Sequence, residues 1–205
     1  MSKHDNPNGT SYRLSPAAAL ARLKEGNKKF LAGTVPSAAD AAFRRGLVAG
    51  GQQPYACIVA CSDSRVVPEA IFCAGLGELF VIRTAGNTIS ESELATVAYA
   101  VNHLHVPLIA VMGHTHCGAV EAALSETEDE DVRHIVENIR EAIGSETDPR
   151  RAERLNAEVW ARKIAAKRNL RAEVRSGQEM VLAALYDTET GEVSFIENEG
   201  ELLAN

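Results

Sequence analysis

Apolar residues follow two different rhythms along this chain. From Pro16 to Leu31 they recur at roughly helical spacing (Leu20, Leu23, Phe30, Leu31) behind a serine, Ser15, that can cap the first turn, and this predicts an amphipathic helix. A second helix is expected from Ser37 to Val48, stopped at Gly50-Gly51. The rhythm then changes to short, nearly continuous apolar runs at Tyr55 to Ala60, Leu79 to Ile82, Pro107 to Met112 and Met180 to Leu185. Such runs suit strands buried on both faces of a parallel sheet. Helical segments separate them: Pro68 to Cys73, Glu91 to Leu104, Ala119 to Leu124, Asp131 to Ile143, and a long one from Arg150 to about Arg175. The acidic stretch Glu126 to Asp131 reads as a solvated helix start. Tyr186 to Gly191 reads as a hairpin turn, which makes the last strand, Glu192 to Ile196, antiparallel. The expected fold is therefore α/β, a central, mostly parallel sheet with one antiparallel C-terminal strand and helices on both faces.

A chain of 205 residues is long enough to bury one sizeable core, and residues 1–205 are read as a single domain with 1–14 as a flexible tail. The net charge of −7 argues against nucleic acid as a partner, because phosphate binding normally shows as a basic surface. The longest apolar stretch, Val106 to Met112, is too short to span a bilayer, and the N-terminus lacks an apolar signal region. No membrane association is expected, and the predicted location is cytoplasmic. In such a reducing compartment four cysteines are better read as thiols or metal ligands than as a disulfide framework.

Two clusters carry the candidate chemistry. The first is ACSDSRVVPE, residues 60–69, directly behind the first apolar run. In an extended chain residues two apart share a side, so Cys61, Asp63 and Arg65 are expected to converge just past a strand end, where open α/β sheets place ligands. A phosphate-cradling loop is excluded, because Asp63 would repel the anion. Cys57 and Cys61 are four residues apart, about 13 Å along a strand and too far for a disulfide. The second cluster is VMGHTHCGAV, residues 111–120, which also follows an apolar run and opens a helix. A loop entering a helix brings residues three apart onto one side, which selects His114 as the partner of Cys117 and leaves His116, like His103 and His105, as an ordinary histidine. The helix N-terminus is expected to favour the Cys117 thiolate, and Gly113 and Gly118 let the backbone pass close to the site. Cys61, His114 and Cys117 then form a two-sulfur, one-nitrogen set that suits Zn(II) and leaves a fourth position open, the pattern of a catalytic site.

Cys61-Ser62-Asp63-Ser64-Arg65, followed by His114-Thr115-His116-Cys117-Gly118, strongly resembles the β-class carbonic anhydrases. GLGELFVIRTAGN (75–87), AYAVNHL (98–104) and AALYDTETGEVSF (183–195) extend the similarity over roughly residues 15–196. The resemblance implies reversible hydration of carbon dioxide to bicarbonate by zinc-bound hydroxide, with one zinc per subunit on Cys61, His114 and Cys117. It makes Asp63 and Arg65 a catalytic dyad, with Asp63 orienting the hydroxide and Arg65 keeping Asp63 ionised. Gln52, Phe80, Ala85, Tyr99 and Gly118 would bind substrate, with Gln52, Phe80 and Tyr99 supplied across a subunit interface. It further implies a homodimer or higher homo-oligomer, with N-terminal helices packing on the partner. In one group of the family the aspartate closes on the metal at lower pH, and those members usually carry a tryptophan three residues before the first cysteine. Ile58 stands there, which favours the accessible site. His105, where a small residue is common, and His116 are further departures. Hydrolysis of carbonyl sulfide or carbon disulfide on the same site, and a non-catalytic zinc protein, are the alternatives.

Overall fold

The apolar runs are strands in the computed structural model, which describes residues 14–36, 41–125, 129–167 and 177–196. They are β1 (Ala56–Cys61), β2 (Leu79–Thr84), β3 (Leu108–His114), β4 (Met180–Tyr186) and β5 (Val193–Ile196). The sheet order is β2-β1-β3-β4-β5, with β5 antiparallel to β4 and every other pairing parallel. The chain leaves β1 for β2 on one side and later returns to β3 on the other. The carboxyl ends of β1 and β3 therefore flank a switch point, where a crevice opens beyond the sheet. Cys61 and His114 are the last residues of those two strands.

Both faces of the central strands are buried, which is why their sequences run apolar without alternation. Cys57, Val59, Ile109, Val111, Val181 and Ala183 face α4 (Glu91–Asn102) and α7 (Pro149–Ala165), meeting Val97, Val101, Trp160 and Ile164. Ala56, Ile58, Ala60, Leu108, Ala110 and Met112 face the other way, onto α1 (Pro16–Leu31) and α3 (Pro68–Ile71). Fully burying a side chain such as Ile109 or Leu108 contributes roughly 1.5–3 kcal/mol, so these layers fix the strand register. A third cluster lies past the carboxyl ends, where α5 (Gly118–Leu124) and α6 (Arg133–Ile143) pack Val120, Ile139 and Ile143 around Cys61 and Cys117.

Some boundaries differ from expectation. α3 is one turn long, and Cys73 follows it in the left-handed region at φ 46°. α7 begins at Pro149 because Asp148 caps it, its side chain accepting the Arg151 N–H at 2.8 Å, and it ends at Ala165. The stretch expected to extend that helix, residues 168–176, lies outside the described residues, as do the tail 1–13, residues 37–40 of the second expected helix and residues 126–128 of the acidic segment. α1 covers its own sheet, with Ala19, Leu20 and Leu23 buried in one layer with Ile58, Ala60, Leu108 and Ala110. α2 (Ala41–Gly50) differs in having no buried residue.

Candidate metal centre

Backbone turns at the two strand ends bring the clusters together. After Cys61 the chain does not continue extended: the Val66 N–H donates to the Asp63 carbonyl at 2.9 Å and closes a turn. Cys61, Asp63 and Arg65 therefore converge through that turn, with the Asp63 N–H aimed at Cys61 Sγ at 3.4 Å, and not through strand alternation. Two residues beyond β3, His116 takes a left-handed φ of 58°, which swings Cys117 back toward the sheet as the N-cap of α5. Histidine is among the residues that enter this region more readily than most. His105 is also left-handed, at φ 56°, a conformation that glycine adopts without strain.

The ligand atoms of Cys61, His114 and Cys117 all lie within 4.8 Å of one another, and all three residues are buried. His114 Nδ1 donates to the Thr115 carbonyl at 2.9 Å, which fixes the tautomer and leaves Nε2 with its lone pair. That Nε2 is fully buried and has no hydrogen-bond partner among the described residues. A bare acceptor nitrogen beside two sulfurs is costly unless a cation occupies the space between them, so the donor set fits a zinc ion.

Electrostatics within the cluster sharpen this. A hydrogen bond from Cys117 lowers the Cys61 thiol to about 4 against the opposing effect of burial, with His114 and the Asp63 and Gly86 N–H groups adding to the shift. The same hydrogen bond, with burial, pushes Cys117 up. The Val120 and Ala119 N–H groups at the helix N-terminus act downward on Cys117, the direction expected of that helix end, against the contact with Cys61. Burial alone would lower His114, yet the neighbouring Cys61 sulfur, the Thr115 carbonyl and Asp63 outweigh it and move it up.

Asp63 is clamped by Arg65. Arg65 Nε donates to Oδ1 at 3.0 Å and an amino nitrogen to Oδ2 at 2.7 Å, while the Arg65 backbone N–H reaches Oδ1 at 2.9 Å. These hydrogen bonds hold the Asp63 pKa at about 2. Oδ2 stands 4.0 Å from His114 Nε2, at the rim of the cluster. Arg65 also donates to the His116 carbonyl at 2.9 Å and so ties the two loops together. Arg83, which the motif reading passed over, braces the first loop from β2 by donating to the Cys61 and Asp63 carbonyls. Glu153 was also missed. Its Oε1 accepts the Cys117 N–H at 3.0 Å, and burial raises its pKa against the opposing pull of that contact and of His114. Its signal in the sequence is a charged residue on the mostly apolar stripe of α7.

The expected substrate residues divide into two sets. Ala85 opens a 3-10 turn (Ala85–Asn87) whose next residue, Gly86, directs its N–H at Cys61 Sγ at 3.3 Å, and Gly118 directly follows Cys117. Phe80 pairs with Cys57, four residues from the Cys61–Thr84 pair and thus about 13 Å back along the strands. Tyr99 packs beside it with ring centroids 6.3 Å apart, and Gln52 is exposed ahead of β1. A single chain does not bring these three residues to the cysteines.

An open α/β sheet with two cysteines and a histidine converging at its switch point defines a protein with a buried cluster that could hold a metal ion and an aspartate–arginine pair at its rim. The carbonic anhydrase family model matches residues 56–193. The carbonic anhydrase of Mycolicibacterium smegmatis is 36% identical over 203 residues, which cover 92% of this chain and 97% of that protein. Carbonic anhydrase 2 of Mycobacterium tuberculosis is 45% identical over 134 residues, 63% of this chain, and the match spans 65% of that protein, just under two thirds. Among solved structures, the Coccomyxa β-carbonic anhydrase in complex with acetazolamide superposes with a TM-score of 0.66 at 29% identity, covering 86% of each chain. A tetrameric β-carbonic anhydrase from Sordaria macrospora gives 0.68 at 26% identity, over 76% of this chain and 87% of that one. The chain belongs to the β-carbonic anhydrase family.

Proposed function

We propose that this protein hydrates carbon dioxide reversibly to bicarbonate and a proton, with one Zn(II) per subunit held by Cys61, His114 and Cys117. The observation that carries this is the buried, unpartnered His114 Nε2 beside two cysteine sulfurs, with a clamped carboxylate at the rim. Zinc bound there would lower the pKa of a water, less than in a three-histidine site because two thiolates neutralise more of its charge.

The chain's own residues supply orientation. Asp63, ionised and held by Arg65, accepts a hydrogen bond from the attacking oxygen and turns its lone pair toward the substrate carbon. Both Asp63 oxygens are engaged by Arg65, and Ile58 stands where members closed by the aspartate usually carry tryptophan, which supports an accessible site over one closed by Asp63. The rate should rise from pH 6 to pH 9. Asp63 adds no limb there, because its depressed pKa leaves it ionised until the pH falls through about 2. A profile flat across that range, measured by stopped flow, would contradict the two-thiolate site.

Gln52, Phe80 and Tyr99 are assigned to the substrate cleft of a neighbouring subunit in a homodimer or larger homo-oligomer. Support comes from the edge position of β2 and the apolar surface near it, where Val48 is 86% and Leu76 54% exposed. Val48→Glu combined with Leu76→Glu should shift the protein to monomer in sedimentation analysis and lower hydration activity with it, since charges buried in an interface cost several kcal/mol. Full activity in the monomer would remove these three residues from the site. No described helix is long and apolar enough to cross a membrane. Parallel assays with carbonyl sulfide test whether a sulfur analogue is preferred.

A further inference from the structure

Two polar residues interrupt the buried stripe of α7. Glu153 is 4% exposed and Asn156 0%, among Ala152, Ala157, Ala161 and Ile164. Each spends one polar atom on the metal centre. Glu153 Oε1 accepts the Cys117 N–H at 3.0 Å. Asn156 Nδ2 donates to the Gly86 carbonyl at 2.8 Å, and the Gly86 N–H points at Cys61 Sγ at 3.3 Å. Each also keeps an oxygen, Glu153 Oε2 and Asn156 Oδ1, without a hydrogen-bond partner among the described residues. Burying such groups with an oxygen unpaired is unfavourable, and the rest of this stripe is apolar. Their presence points to a task other than packing.

The helix reaches the centre because Gly113, just before His114, has no side chain. A Cβ there would lie 2.9 Å from the Glu153 carbonyl oxygen and 3.3 Å from Ala157 Cβ. α7 thus abuts the residue before one ligand, holds the backbone of the second, and reaches the third through a turn in which Gly86 (φ 62°) and Asn87 (φ 45°) are both left-handed. Such a turn relaxes readily once its anchor is lost.

We infer that α7 is a splint for the metal centre, with Glu153 and Asn156 as positioning residues that set the Cys61–Cys117 spacing and so govern how long the metal is retained. Neither touches substrate. The inference rests on the zinc reading above.

The test is the rate at which the zinc-loaded protein gives up its metal to excess chelator. Glu153→Ala and Asn156→Ala should each speed release by about 10–100-fold, the usual effect of losing an outer partner of a metal ligand. Glu153→Gln, whose amide oxygen can still accept the Cys117 N–H, should stay within about threefold of native. Ile164→Val, on the same helix but facing the sheet, should lower the melting temperature and leave the release rate native, which separates positioning from general softening. In cobalt-substituted protein the thiolate-to-metal band should shift for Glu153→Ala and not for Ile164→Val. If Glu153→Ala does not fold, Asn156→Ser, which touches only the Gly86 turn, carries the test with the same expected direction. Release within about twofold of native in the alanine or serine variants, or equal acceleration by Ile164→Val, overturns the splint. A native protein that takes up no zinc would instead overturn the metal reading itself.

Discussion

Cys61→Ser is expected to lose zinc and carbon dioxide hydration together. Cys61 ends β1 with its sulfur in the cluster, and the Cys117 hydrogen bond lowers its thiol to about 4. Serine nearly matches its volume, so the core around Val120 and Ile139 should survive, but a hydroxyl stays protonated and does not replace a thiolate on zinc. Losing one of three ligands should weaken zinc binding by about 10³-fold or more, and activity should fall to background. Cys57→Ser is the control. Cys57 lies on the same strand in a fully apolar layer, and burial pushes its thiol up to about 12. Serine there should cost about 1–3 kcal/mol of stability for the buried hydroxyl while zinc stoichiometry stays native. Metal analysis beside stopped-flow kinetics separates the two. A zinc-free yet fully active Cys61→Ser protein would end the assignment.

Asp63→Ala should do the reverse, keeping the metal and losing roughly 10²-fold in activity, as removal of an orienting partner commonly does. Asp63 is not in the three-residue ligand group, and its carboxylate is taken up by Arg65. Arg65→Ala is informative about the cause. Without the guanidinium the Asp63 pKa should rise from about 2 toward the ordinary carboxylate range, yet the group stays ionised at neutral pH. A loss of activity in that variant at pH 8 therefore reports orientation and not charge. Zinc content that falls with activity in Asp63→Ala would place Asp63 among the ligands.

How much of this was legible in the sequence depends on where the information lies. The parallel strands are readable because both faces of β1, β3 and β4 are buried, so Ile58, Val59, Leu108 and Ile109 leave no polar interruption. The cluster of Cys61, His114 and Cys117 was legible because each residue falls at a strand end or a helix start, where local geometry leaves few choices. The turn at residues 62–66 was not, since alternation and a turn bring Asp63 near Cys61 equally well. The contact between Cys61 and Cys117 was not legible locally either, since it joins residues 56 positions apart. Glu153 and Asn156 stand out locally as polar residues on the apolar stripe of α7, but their partners, the Cys117 N–H and the Gly86 carbonyl, lie across the fold and no local pattern names them.

The account is tested most directly by titrating zinc back into chelator-stripped native protein while following carbon dioxide hydration by stopped flow. Activity should rise in proportion to bound zinc and saturate at one ion per chain, with the Cys61→Ser protein flat throughout. Hydration that is independent of zinc, or zinc bound at one per chain with no hydration of carbon dioxide, would contradict it.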